Sequence, residues 1–397
     1  MSMRRAVPAL LAGALVACGR KHPPLIGDAP LVRDAGSDGA AYFDESPKPP
    51  PPPDAPGYCG NVIIPAIVDR PNLYFVLDAS GSMGQDMPQP SAGTAFLLTR
   101  YNAAVGAIVG MLRKVGHRVS YGAAVFPSQG DGGLGVCPPG QEVFETEPGD
   151  PVSYAEKGKM GPILNGLMTT LLNHRPSGLT PTAATLLGLE PKLRALPGKT
   201  YVFLLTDGAP NCDAAASCGT DKCTVNIEGD CDPAHPALNC CDPLYAVDAN
   251  LWCLDDDPTV EAVAKLANDG ISTYVLGMQV PLAYANVLDR LAVAGNTARA
   301  ASPYYYPVDD ADALTSALNG IGTSVSISCD IQLSAPPPDP KLVNVYFGQT
   351  VVPLDAANGW TWLAPDHIGI VGDSCTKLRQ GDVLDVQVVS GCPSVVN

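Results

Sequence analysis

The sequence predicts an α/β fold: a doubly wound, mainly parallel sheet with helices on both faces, carrying a cysteine-rich insertion and a small C-terminal β domain. Three observations predict it. The runs "LYFVL" (73–77) and "YVFLL" (201–205) have the length and unbroken hydrophobicity of strands covered on both faces. Such runs alternate along the chain with segments of helical period. Both runs lead into a carboxylate, Asp78 and Asp207, at the end of the strand where open α/β sheets place their ligand sites.

The elements follow in order. Leu73 to Leu77, bounded by Pro71 and Gly81, form the first strand. In residues 96–115, Tyr101, Val105, Ile108, Leu112 and Val115 recur at steps of three and four, with Arg100, Arg113 and Lys114 off that stripe, which predicts an amphipathic helix. "VSYGAAVFP" from Val119 is a second strand and "TYVFLLTDG" from Thr200 a third. "PTVEAVAKLANDG" starts a helix at Pro258 and stops it at Gly270, and "ISTYVLGMQV" is a fourth strand. Then come a helix ("AYANVLDRLAVAG"), a short strand ("YYYPV") and a last helix at about Asp309 to Ile321. From Ser326 the rhythm changes to short segments, "VNVYFG", "GWTWL", "HIGIV" and "VLDVQVV", separated by Gly, Pro and Asn. These predict a β-rich domain over 326–397, after an α/β domain over 58–325 whose residues 209–257 are the cysteine-rich insertion.

Ahead of these domains, residues 1–18, "MSMRRAVPALLAGALVAC", have two arginines and then an apolar stretch too short to span a bilayer, the pattern of an export signal. Its end, Leu15-Val16-Ala17-Cys18, resembles the lipobox of bacterial lipoproteins, which implies lipidation of Cys18. Gly19 stands where that family's inner-membrane retention signal has Asp, so the implied address is the outer membrane, on its periplasmic or cell-surface side. Residues 19–57 contain "PKPPPPPDAP" and too few large apolar residues for a core, so they are expected to be a tether. At about 3 Å per residue, such a proline-rich segment holds a domain on the order of 100 Å from its anchor.

The chain has 13 cysteines; with Cys18 set aside the remainder is even, and export with an even count predicts disulfides. Cys212, Cys218, Cys223, Cys231, Cys240, Cys241 and Cys253 lie in the insertion, and Cys59, Cys137, Cys329, Cys375 and Cys392 outside it. Seven is odd, so at least one bridge must leave the insertion if all of them pair. Cys240 and Cys241 are adjacent, with Cα atoms about 3.8 Å apart, and are expected to take different partners. A zinc site is disfavoured, because no CxxC pair occurs. The formal net charge of -16 argues against a nucleic-acid partner.

Three separated pieces carry the chemistry: "DASGS" after the first strand, "GLTPT" before a helix and "LLTDG" at the end of another strand. Together, over roughly residues 70 to 325, they resemble the von Willebrand factor type A domain, a Rossmann-like fold with a metal ion-dependent adhesion site. The resemblance implies Asp78, Ser80 and Ser82 as a first ligand cluster, Thr180 as a loop hydroxyl and Asp207 as the distal carboxylate. Thr182 competes with Thr180. Pro181 suits the first helical position, which favours Thr180 as its N-cap at the loop edge.

Hydroxyls and carboxylates suit Mg²⁺, a hard ion that takes about six oxygens and keeps several waters; the same set would accept Mn²⁺ or Ca²⁺. The implied function is binding of a protein ligand, or another acidic one, whose Asp or Glu carboxylate completes the shell of the cation. In relatives of this fold such ligation can be coupled to movement of the last helix. A structural envelope scaffold with a stabilising metal site is the alternative class, and a metal-dependent hydrolase with Asp78 or Asp207 as base a more remote one. An enzyme is not expected: the five His form no HExxH, "SGSMG" lacks the first Gly of GxSxG, and no acid and nucleophile are paired around Asp78 or Asp207. Trp252, Trp360 and Trp362 are expected to be core anchors of the small β and cysteine-rich units.

Overall fold

The computed structural model describes residues 62–396 except 65, 68–69, 89–97, 129–136, 152, 155–156, 233, 236, 327 and 381–385. The expected leader, Cys18, the tether and Cys59 lie outside the described residues.

Among the described residues, ten strands precede the C-terminal segment. Their ranges are β1 (Val62–Ile63), β2 (Ala66–Ile67), β3 (Asn72–Asp78), β4 (Asp86–Met87), β5 (Leu98–Thr99), β6 (Ser120–Phe126), β7 (Gln141–Pro148), β8 (Thr200–Thr206), β9 (Ser272–Met278) and β10 (Tyr306–Val308). Six of them make the central sheet in the order β10-β9-β8-β3-β6-β7. All its pairings are parallel except that of the edge strand β7, which runs antiparallel to β6. This is the doubly wound α/β architecture expected from the alternation of apolar runs and helical periods.

The helices are α1 (Arg100–Val115), α2 (Pro162–Leu172), α3 (Thr182–Ala195), α4 (Thr224–Glu228), α5 (Asp256–Asn268), α6 (Ala285–Ala294) and α7 (Ala311–Ser326), and all but α4 cover the two faces of this sheet. Successive side chains of β3 point to opposite faces. Phe75 and Leu77 pack with Tyr101, Ile108, Leu167 and Leu318 of α1, α2 and α7. Tyr74 and Val76 pack with Leu186, Val263 and Leu288 of α3, α5 and α6. The stripe Tyr101, Val105, Ile108, Leu112 and Val115 is buried throughout, as the spacing of α1 requires.

The C-terminal segment adds β11 (Asp330–Leu333), β12 (Val343–Phe347), β13 (Thr350–Val352), β14 (Trp360–Ala364), β15 (His367–Ile370), helix α8 (Gly372–Gln380) and β16 (Val386–Ser390). It departs from expectation in two ways. First, its two four-stranded sheets, β1-β16-β12-β13 and β14-β15-β11-β2, each take one strand from before β3. The boundary drawn at residue 58 therefore needs correction: the α/β domain is inserted between the first two strands of the β unit and the rest of it. Two-residue strands carry no readable periodicity, and only pairing with Val389–Ser390 and with Gln332–Leu333 defines them. Second, α8 sits inside the β unit, tied to the segment before β11 by the Cys329–Cys375 bridge. Trp360 is fully buried in this unit's core with Val345, Ile368 and Val388, and Trp362 meets it edge-on at 5.4 Å. Trp252 is 38% exposed and is not the core anchor expected of it.

The cysteine-rich insertion contains α4 and is held by bridges: Cys218–Cys253, Cys223–Cys241 and Cys231–Cys240, with Cys137–Cys212 fastening it to the segment before β7. The neighbours Cys240 and Cys241 thus have different partners. The sulfurs of Cys218, Cys241 and Cys253 lie within 4.8 Å of one another, but each belongs to a bridge and none is available as a thiolate. Cys392 is also disulfide-bonded.

Candidate metal centre

The site is built where β3 and β8, adjacent and in parallel register, both end. Parallel strands bring their carboxyl ends to one edge, so Asp78 and Asp207, 129 positions apart in the sequence, become neighbours. Past β3 the chain turns through Ser80 into a single helical turn, Gly81–Gly84. The Ser80 N–H donates to Asp78 Oδ1 at 2.8 Å, which fixes this turn against the carboxylate.

The side-chain oxygens form a chain. Ser80 Oγ lies 3.2 Å from Ser82 Oγ, and the Ser82 hydroxyl donates to Asp207 Oδ1 at 2.8 Å. The Thr206 hydroxyl donates to Asp78 Oδ2 at 2.6 Å. Asp78, Ser80 and Asp207 are buried, whereas Ser82 is exposed and opens the cluster to solvent.

The loop that carries Thr180 lies against the site. Gly81 N–H donates to Gly178 O at 3.0 Å, and Ser177 N–H donates to Ala79 O at 2.7 Å, so the segment before α3 lies against the Ser80 turn. The left-handed backbone of Gly178 (φ +87) makes that approach without Cβ strain. Thr180 itself is buried. It is not the N-cap expected from the sequence, because α3 begins at Thr182 with Pro181 in the cap position at ψ 58. Asn211 instead fixes the loop ahead of the helix: its Oδ1 accepts the Thr180 N–H at 2.8 Å, and its own N–H donates to Thr180 O at 3.0 Å. Thr182, the rival hydroxyl, points back to Thr180 O at 3.4 Å.

Two buried carboxylates this close oppose each other's ionisation. Burial, and then the Asp207 charge, raise the Asp78 carboxyl above its ordinary range, against the hydrogen bonds from Thr206 and Ser80. Burial also raises Asp207, against the opposing guanidinium of Arg100. A pocket of oxygen acceptors and hydroxyls with surplus buried negative charge is the environment a hard divalent cation requires, so the donor set fits such an ion.

Three site residues escape a reading of the sequence. Thr206 and Asn211 flank Asp207 in "LLTDGAPN", and the polar pair around the carboxylate was the available signal. Arg100, off the apolar stripe of α1, does not face solvent: its Nη1 donates to Asp207 Oδ2 at 2.6 Å, and the side chain is only 13% exposed.

No protein-family model and no curated protein matches the chain. Among solved structures it is similar to the PilB minor pilin of Streptococcus sanguinis, at 17% identity over 67% of this chain and 62% of that one, with a TM-score of 0.42. It is similar to the vWF domain of the type V pili tip protein Mfa5 of Porphyromonas gingivalis, at 12% identity over 67% of this chain and 96% of that one, with a TM-score of 0.40. A von Willebrand factor type A protein of Catenulispora acidiphila is 10% identical over 83% of this chain and 60% of its own, with a TM-score of 0.39. The chain thus spans less than two thirds of the length of the pilin. At these values the geometry of the site itself, rather than the likeness, bears on function.

Proposed function

We propose that this chain is an exported binding protein, lipid-anchored through Cys18 to the outer membrane, that captures a protein or other acidic ligand through a divalent cation. Asp78, Ser80, Ser82, Thr180 and Asp207 would hold the ion, with Mg²⁺ as the first candidate and Mn²⁺ or Ca²⁺ as acceptable substitutes. The bound cation supplies a coordination position for a carboxylate of the partner. This chain's residues do the rest: Thr206 and the Ser80 N–H keep the Asp78 oxygens aimed, Asn211 fixes the Thr180 loop, and exposed Ser82 leaves a solvent face for the partner.

The observation that carries this reading is the continuous oxygen chain Ser80–Ser82–Asp207, meeting Asp78 at the ends of two adjacent parallel strands. The disulfides fit an oxidising compartment outside the cytosol, which supports export. Calorimetric titration of the wild type and of Asp78→Ala with Mg²⁺, Mn²⁺ and Ca²⁺ tests the reading. Saturable uptake by the wild type and none by the variant is expected. No uptake by the wild type, or equal uptake by both, overturns it.

A further inference from the structure

Arg100 is the first residue of α1, and its surroundings are more constrained than a surface arginine needs. Thr99 caps the helix by accepting the Asn102 N–H at 3.1 Å, and the Arg100 N–H donates to Gln85 O at 2.9 Å. The backbone of Arg100 is therefore pinned to the same turn that carries Ser80 and Ser82. Its guanidinium is held at two points: Nη1 donates to Asp207 Oδ2 at 2.6 Å, and Nε donates to Gln279 Oε1 at 3.0 Å. Gln279 follows β9 with a left-handed backbone (φ 51), a conformation that non-glycine residues rarely adopt and that marks constrained positions. Its N–H donates to Val308 O at 2.8 Å, which anchors it on β10. Elements from three parts of the chain thus converge to seat one cation on one carboxylate.

Charge accounting gives this seat a meaning. Asp207 has both oxygens engaged, Oδ1 by the Ser82 hydroxyl and Oδ2 by the guanidinium. A divalent ion among the same oxygens draws on the same carboxylate and brings a second positive centre close to the first. Because Asp207 and the Arg100 side chain are largely buried, that repulsion is weakly screened. We infer that Arg100 is a tethered cation that competes with the divalent ion for Asp207 and so sets the metal affinity of the site. The inference rests on the metal-binding reading above and adds a residue to it that opposes the ion instead of holding it.

The test is calorimetric titration of the full chain with Mg²⁺ and Mn²⁺ in four forms: wild type, Arg100→Gln, Gln279→Gly and Lys114→Gln. Arg100→Gln should bind about tenfold tighter or better, since the competitor is gone. Gln279→Gly keeps the charge, relieves the left-handed backbone and removes one of the two anchors, so it should tighten binding by about a few fold. Lys114→Gln makes the same charge change on an exposed part of α1 and should stay within about twofold of wild type, which separates a local contest from a general charge effect. Gln279→Gly also keeps the test decisive if Arg100→Gln, which leaves Asp207 uncompensated, fails to fold.

Wild-type uptake with equal or weaker binding by Arg100→Gln and Gln279→Gly overturns the inference and leaves the metal reading standing. Wild-type uptake that tightens in Arg100→Gln and Gln279→Gly but not in Lys114→Gln supports the inference. No uptake by any form overturns both.

Discussion

The Thr206 hydroxyl donates to Asp78 Oδ2 at 2.6 Å, joining the last residues of two adjacent strands through side chains just where their backbone ladder ends. This bond is buried and favours the ionised carboxylate, the form a metal needs. Thr206→Val keeps the shape and removes the donor. It should cost ~1–2 kcal/mol of stability and lower Mg²⁺ affinity about tenfold, read by thermal denaturation and calorimetry.

The Cys137–Cys212 bridge fastens the residue next to Asn211, and Asn211 makes two hydrogen bonds to Thr180. Replacing both cysteines by serine should loosen the Thr180 loop and weaken metal binding several fold, by about 1 kcal/mol. The pair Cys231–Cys240 closes only a short loop within the insertion, so its double serine variant should leave metal affinity unchanged. Equal losses in both variants would show that the insertion acts as a single unit.

Asp255 provides a pH test away from the proposed ligands. Burial, then Asp213 and Asp256, push its carboxyl up to about 7. A carboxyl raised on folding contributes its stability fully below the unfolded value of about 3.9 and loses it as pH climbs through the folded value. Asp255→Asn stays neutral throughout. It should match the wild type near pH 4 and exceed it near pH 8, by on the order of 1–2 kcal/mol, measured by denaturant unfolding at both pH values.

Membrane attachment has a direct readout. Cys18→Ala should move the protein from the membrane to the soluble fraction, because a lipid chain on Cys18 is the proposed anchor. Unchanged membrane fractionation of this variant would remove the lipid assignment.

Much of this architecture is legible in the sequence because burial on both faces leaves continuous apolar runs, as in β3 and β8, and because α1 repeats its stripe over 16 residues. Elements whose signals are tertiary are not legible. The N-terminus of α2 has no capping residue of its own; Asp150 accepts the N–H groups of Ile163 and Leu164 from 13 and 14 positions upstream. β7 is a charged edge strand, and β1 and β2 exist only through their partners. In the site, Asp78, Ser80, Ser82 and Asp207 lie in short motifs that the structure joins by hydrogen bonds. Arg100 was hidden because a cation off an apolar stripe reads as solvent-facing; its destination depends on where α1 starts relative to β8.

The two strands preceding β3 bear on how the molecule carries tension. A pull applied upstream of Val62 enters the β unit, where Val62 pairs antiparallel with Ser390, and continues through β2 into β3, the strand that terminates in Asp78. β3 is flanked along its length by β6 and β8. Traction between an anchor and a ligand gripped beside Asp78 would therefore run lengthwise along the covalent backbone of one central strand.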